Sequence, residues 1–226
     1  MGHKTQIVLL PGLHGTTNLF DRFIAAAPPN VSMTAIPLPV EPLSYVELAD
    51  RLAGALPDGK PVIIAESFSG PLALALAARH PVAALVFCNS FVVAPKSPAL
   101  RWLPWPFLFK LPVPHFLLRR YMLGSAVDDT LVREVAAEIA SVPAFVLAYR
   151  VNSALRVDEL EAFSRCNVPV LYLRGTDDRL VPDAAWRRMA TARPMTTSHM
   201  PGPHMLLQAY PAGAWKATVE FLARQG

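Results

Sequence analysis

The sequence predicts an α/β domain built on a parallel sheet with helices on both faces. Short, continuous apolar runs recur along the chain, and segments of helical spacing alternate with them. In addition, 53% of the 226 residues are hydrophobic and only 17% are charged. A strand buried on both faces reads as an unbroken apolar run, and crossover connections force the intervening helices onto the faces of the sheet. The same composition excludes disordered, collagen-like and disulfide-scaffold chains.

Residues 5–11 (TQIVLLP) give the first strand, ended by a turn at Gly12, and residues 31–37 give a weaker second. Residues 43–56 carry Val46, Leu48, Ala49, Leu52 and Leu56 at helical spacing, stopped by Pro57-Asp58-Gly59. A β-branched run at 61–66 precedes an Ala- and Leu-rich helix at 71–80, and 83–89 and 168–174 supply further strands. There is no internal repeat.

The pattern breaks over about 94–142. Pro95, Pro98, Pro104, Pro106, Pro112 and Pro114 interleave there with Trp102, Trp105, Phe107, Phe109 and Phe116. Proline at this density prevents a regular helix or central strand. A helical period returns over 129–140, until Pro143. Too short for a large core of its own, the segment predicts an insertion within a single domain spanning 1–226.

The formal net charge is +4 and the pI about 9.3, yet the basic residues are scattered, so no nucleic-acid partner is expected. Cys88 and Cys166 have no CxxC spacing, and neither a metal nor another cofactor is expected. The N-terminus lacks the features of a secretory signal. The most apolar stretch, 99–118, is interrupted by Arg101, Lys110 and prolines, so no stable membrane insertion is expected. These features predict a cytoplasmic protein. No G-x-G-x-x-G follows the first strand, which argues against a dehydrogenase.

The strongest chemical signal is Ala65-Glu66-Ser67-Phe68-Ser69-Gly70, between an apolar strand and a helix. A serine on such a turn is strained, and its neighbours two positions away must be small for strand and helix to approach. Ala65 and Ser69 satisfy this for Ser67. For Ser69 the small position would fall on Pro71, which instead suits the first turn of the helix. A nucleophilic serine needs a base, and the base an orienting acid. Asp177 and Asp178 compete for the acid role in the turn after the strand at 168–174. The candidate base is His204, in the loop Met200-Pro201-Gly202-Pro203-His204-Met205 before the last helix. His199 is its rival; His3, His14, His80 and His115 sit in the tail, a loop, a helix end and the insertion. The chain order Ser, Asp, His matches one particular fold. An oxyanion needs two backbone donors. Phe68, after the nucleophile, and Leu13, in Pro11-Gly12-Leu13-His14-Gly15, are the candidates.

Together, over nearly the whole chain, these motifs resemble the α/β-hydrolase superfamily. Its acid turn G-x-x-D-x-x-V-P is met by Gly175, Asp178, Val181 and Pro182, which favours Asp178 over Asp177. Its histidine, in a Gly-rich loop before the final helix, matches His204. Where relatives read His-Gly before the oxyanion residue, this chain has Pro11-Gly12-Leu13. The resemblance implies a trimmed, mostly parallel sheet of about six strands, beginning at the family's third, with a cap inserted after Asn89. It implies a carboxylesterase-type serine hydrolase with Ser67, Asp178 and His204 as its catalytic triad. Its substrate would be a small-molecule ester of a small to medium hydrophobic acyl group. A thioesterase, carrier-linked methylester hydrolase, lactonase or perhydrolase would use the same machinery. A non-catalytic hydrolase-like binding protein is the further alternative, against which the intact trio argues. The cap aromatics would roof the site, pack the cap onto the sheet, or dock on a lipid interface.

Overall fold

The computed structural model describes residues 4–225, so His3 lies outside the described residues. Strands β1 (Thr5–Leu10), β2 (Val31–Ala35), β3 (Val62–Glu66), β4 (Ala84–Cys88), β5 (Val170–Gly175) and β6 (Thr196–Met200) form one sheet. The spatial order is β2-β1-β3-β4-β5-β6, and every adjacent pair is parallel. The sequence expectation of a mostly parallel sheet of six strands is met. The first five apolar runs are β1 to β5. β6 (TTSHM) is polar and only partly buried because it is an edge strand.

Helices follow in chain order. They are α1 (Asp21–Ala25), α2 (Tyr45–Leu52) and α3 (Gly70–Ala77), then α4 (Trp105–Leu108), α5 (His115–Leu118), α6 (Asp129–Ser141), α7 (Ala144–Ala154) and α8 (Leu160–Arg165) between β4 and β5. After β5 come α9 (Asp183–Ala192), α10 (Leu206–Ala209) and α11 (Pro211–Leu222).

The period of two along a strand divides each apolar run between two cores. Val8, Leu10, Ile63, Leu85, Phe87 and Tyr172 face one side, against Leu48 and Leu52 of α2, Leu72 and Leu76 of α3, and Met189 of α9. Ile7, Leu9, Val62, Ile64, Val86 and Leu173 face the other, against Phe23 of α1 and Trp215 and Phe221 of α11. Phe23 and Trp215 stack at 4.4 Å, and the indole N–H donates to the Phe23 carbonyl. Helix α2 starts at Ser44, whose hydroxyl accepts from the Glu47 amide while Glu47 reaches back to the Ser44 amide. Ser44→Ala would remove this capping box at about 1 kcal/mol. Val46, on the solvent side of α2, is exposed although it fits the helical period.

Between β4 and β5 the chain leaves the sheet. Among its prolines α4 and α5 manage only one turn each, and residues Arg119–Leu123 wind as a π-helix. Regular helix resumes at α6, capped by the Asp128 carboxylate on the Leu131 amide at 2.8 Å. Leu118, Leu123, Leu131, Val132 and Val135 share a small core with Leu19 and Met205 of the main body. The roof continues past residue 142: Val146 and Leu147 of α7 pack with Leu13, Phe109 and Ile139. Among the described residues no helix is long and apolar enough to cross a membrane.

Candidate active site

β3 ends at Glu66, residues Ser67–Ser69 make a single 3-10 turn, and α3 begins at Gly70. At the tip, Ser67 has φ 49°, in the left-handed region. For a non-glycine residue this costs on the order of 1–3 kcal/mol and needs support. The Ser90 hydroxyl donates to the Ser67 carbonyl, and the Ser69 hydroxyl donates to the Pro11 carbonyl. Ser69, the rival serine, is therefore inaccessible and already engaged. Gly70 permits the packing: a Cβ there would lie 2.2 Å from Ser90 Oγ and 2.4 Å from the Phe91 carbonyl oxygen.

The loops after β5 and β6 bring Asp178 and His204 to Ser67. His204 Nε2 lies 2.8 Å from Ser67 Oγ, and its Nδ1 lies 3.0 Å from both oxygens of Asp178. Asp178 Oδ1 also accepts from the amides of Leu180 and Val181, at 2.8 and 3.1 Å, which fixes the carboxylate. Asp177 is exposed; its amide donates to the Gly202 carbonyl, so it serves the turn. His199 is exposed on β6, edge-on to Trp186. The three residues singled out in the sequence meet, and their rivals do not join them.

Several residues that hold this arrangement were not singled out in the sequence. Asn89, with φ 43°, follows β4. Its Oδ1 accepts from the Gly175 amide at 2.7 Å, and its Nδ2 donates to the carbonyls of Pro203 and His204 at 2.8 and 2.9 Å. One side chain thus ties the acid loop to the base loop. Arg150 of α7 is almost wholly buried. Its guanidinium donates to the carbonyls of Leu13 and His14 at 2.8 and 2.9 Å and of Pro39 at 2.8 Å. Its contacts span more than 100 residues, and no local pattern marks it. Leu13 and Phe68 both face the cavity beside Ser67. Among the described residues the Leu13 amide donates to no other group.

Two further titratable groups flank Ser67. Glu66, 2% exposed, accepts from Gln208 Nε2 at 3.3 Å, and its other oxygen has no partner among the described residues. Burial pushes its pKa up to about 7, against the pull of His204. Burial also opposes charging of His204, but the charge and hydrogen bond of Asp178 outweigh it, with help from Glu66, so the imidazole pKa is raised. His14 is buried, with its pKa lowered to about 4 mainly by desolvation. Its Nδ1 accepts from the Thr16 amide at 3.2 Å.

The cavity beside Ser67 holds about 320 Å³, at the small end of ligand pockets. Its walls are mainly apolar, with Phe91, Trp105, Phe109, Leu118, Ile139 and Leu147 among them; α7 adds Val151. Such a site admits an apolar group and presents the Ser67 hydroxyl and the His204 imidazole at one wall, with the Asp178 carboxylate hydrogen-bonded to the imidazole's other nitrogen. No group of three or more His, Cys, Asp or Glu among the described residues is placed to hold a metal ion.

Residues 7–215 match the alpha/beta hydrolase family, and the chain belongs to it. The chain is similar in structure to an enol-lactonase from Burkholderia xenovorans LB400, with TM-score 0.79 and 22% identity, over 98% of this chain and 92% of that one. It is similar to a thermophilic esterase from Thermogutta terrifontis, with TM-score 0.79 and 19% identity, over 99% and 91%. A bromoperoxidase from Bacillus anthracis aligns with TM-score 0.82 and 14% identity, over 98% and 93%. At these identities the likeness bears on the fold. No curated protein matches the chain.

Proposed function

We propose that the protein is a carboxylesterase-type serine hydrolase acting on esters of small to medium hydrophobic acyl groups. The observation that carries this reading is the 2.8 Å contact between Ser67 Oγ and His204 Nε2 at the wall of an apolar cavity. The solved structures named as an esterase and an enol-lactonase accord with it, since an enol-lactone is itself an ester.

Neutral His204 takes the Ser67 proton as Oγ attacks the acyl carbon. Asp178 holds the imidazole with Nε2 toward the serine and stabilises the imidazolium that forms. The amides of Leu13 and Phe68 receive the oxyanion of the tetrahedral intermediate. As the intermediate collapses, the C–O bond to the alcohol breaks and His204 returns its proton to the departing oxygen, leaving an acyl-Ser67 ester. Water then attacks with His204 as base, releasing the acid and restoring the serine. In this reading residues 94–142, together with α7, form the cap that selects the acyl group.

The test is hydrolysis of p-nitrophenyl esters of increasing acyl length. Ser67→Ala lowers kcat by a factor on the order of 10⁶ and abolishes labelling by a fluorophosphonate probe. Retention of most activity in that variant excludes Ser67 as nucleophile.

A further inference from the structure

Residues 94–127 hold Lys96, Arg101, Lys110, Arg119 and Arg120 and neither Asp nor Glu. All five cations fall within this one contiguous stretch of the insertion. Arg119 pairs with Asp129, whereas Arg101, Lys110 and Arg120 have no carboxylate within 4.0 Å among the described residues. The nearby acids are engaged elsewhere: Asp128 pairs with Arg22, and Glu138 accepts from Asn18.

The same stretch exposes large apolar side chains. Trp102 is 79% exposed, Phe116 68% and Phe107 61%, and Leu103, Leu111 and Tyr121 join them. Phe145 and Tyr149, also exposed, lie on α7, which packs against α4. Single exposed apolar residues are ordinary, but a concentration of them marks an interaction surface. The guanidinium of Arg101 lies 5.1 Å from the Trp102 ring centre, and that of Arg120 lies 5.7 Å from the Tyr121 ring. The inward side chains of these turns, Leu100, Trp105, Phe109, Val113 and Leu118, line the cavity beside Ser67.

Charge decides what covers this surface. A second copy meeting it face to face would set cation against cation. The interface of an anionic bilayer instead takes Arg, Lys, Trp and Tyr at the headgroups and Phe and Leu beneath them. We propose that the outer surface of residues 101–121 docks the protein peripherally on anionic lipid bilayers, setting the cavity wall toward the hydrocarbon. The docking stands apart from the hydrolase reading; transfer of an apolar acyl chain from lipid to Ser67 rests on that reading.

The test is cosedimentation of the full chain with phosphatidylcholine vesicles, either pure or containing about 30 mol% phosphatidylglycerol. Binding is expected on the anionic vesicles and is reversed by high salt. Arg101→Gln/Lys110→Gln/Arg120→Gln weakens partition on the order of 100-fold, from the loss of three charges near the surface. Trp102→Ser/Phe107→Ser/Phe116→Ser weakens it about tenfold or more. These six side chains are exposed and lie outside the cavity lining, and circular dichroism with thermal melting checks that each variant folds. No binding to anionic vesicles, or equal binding by folded variants, overturns the proposal. So does self-association through Trp102, Phe107 and Phe116 in a chain that leaves vesicles unbound. Vesicle binding without ester hydrolysis would uphold the docking and defeat the esterase reading; hydrolysis without vesicle binding would do the reverse.

Discussion

Arg150, on a helix of the roof, donates from Nη1 to the carbonyl of Leu13, on the loop after the first strand, at 2.8 Å. The guanidinium has no carboxylate partner among the described residues; three backbone carbonyls hold it, and burial lowers its pKa to about 10. It thereby sets the path of the loop whose amide receives the oxyanion in the proposed mechanism.

Arg150→Met leaves those carbonyls unpaired in the interior. It is expected to destabilise the fold by about 2–4 kcal/mol. It should also lower kcat by about 10- to 100-fold, as the Leu13 amide loses its aim. Arg150→Lys does not restore kcat, because a single ammonium cannot span the Leu13, His14 and Pro39 carbonyls. Urea denaturation and steady-state kinetics on a soluble ester check both effects. A variant with unaltered kcat removes Arg150 from any part in positioning.

The charge of Glu66, felt at His204 without a hydrogen bond between them, predicts a pH signature. Only neutral His204 can accept the Ser67 proton, and its pKa is raised above the ordinary 6.5. The acid limb of kcat/KM should therefore have its midpoint above 6.5. Glu66→Gln removes one of the charges that raise it, so the limb moves to lower pH. Stability moves as well. The folded pKa of Glu66, about 7, exceeds its ordinary 4.5, so the native state keeps a proton that the unfolded chain releases. This group's contribution to stability falls as pH rises from 4.5 to about 7, by roughly 3 kcal/mol in all. Urea midpoints should show Glu66→Gln gaining on the unaltered protein between pH 5 and pH 8. A constant difference between the two would place the Glu66 carboxyl outside this linkage.

Asn89→Leu strips partners from the Gly175 amide and from the carbonyls of Pro203 and His204. It also places a branched side chain at positive φ, where asparagine is tolerated better than most residues. A loss of about 3 kcal/mol or more is expected, and kcat should drop as the Asp178 and His204 loops separate. Chemical denaturation and kinetics measure the two losses. A variant as stable as the parent would contradict the bridging role.

The framework was legible because β1, β3, β4 and β5 are buried on both faces and therefore carry unbroken apolar runs. Ser67, Asp178 and His204 were legible because each follows a strand and sits in a turn with its own small-residue chemistry. Arg150 was not, because one arginine in an amphipathic helix looks the same whether it meets solvent or three distant carbonyls. Asn89 was hidden likewise: its partners lie 86 and 114 residues away. Pro143, read as the stop of the helical period begun at 129, does separate α6 from α7, and Leu147 and Val151 of α7 also line the cavity.

The His204 imidazole lies 137 residues downstream of Ser67, and the indole of Trp215 meets Phe23 across 192 residues. Contacts between such distant parts of a chain are slow to form, because much loop entropy is lost before they are made. During synthesis, then, the serine emerges long before the group able to activate it, and reactivity arrives only with the C-terminal closure. On the proposed reading, a nascent or half-folded chain lacks the means to attack an ester.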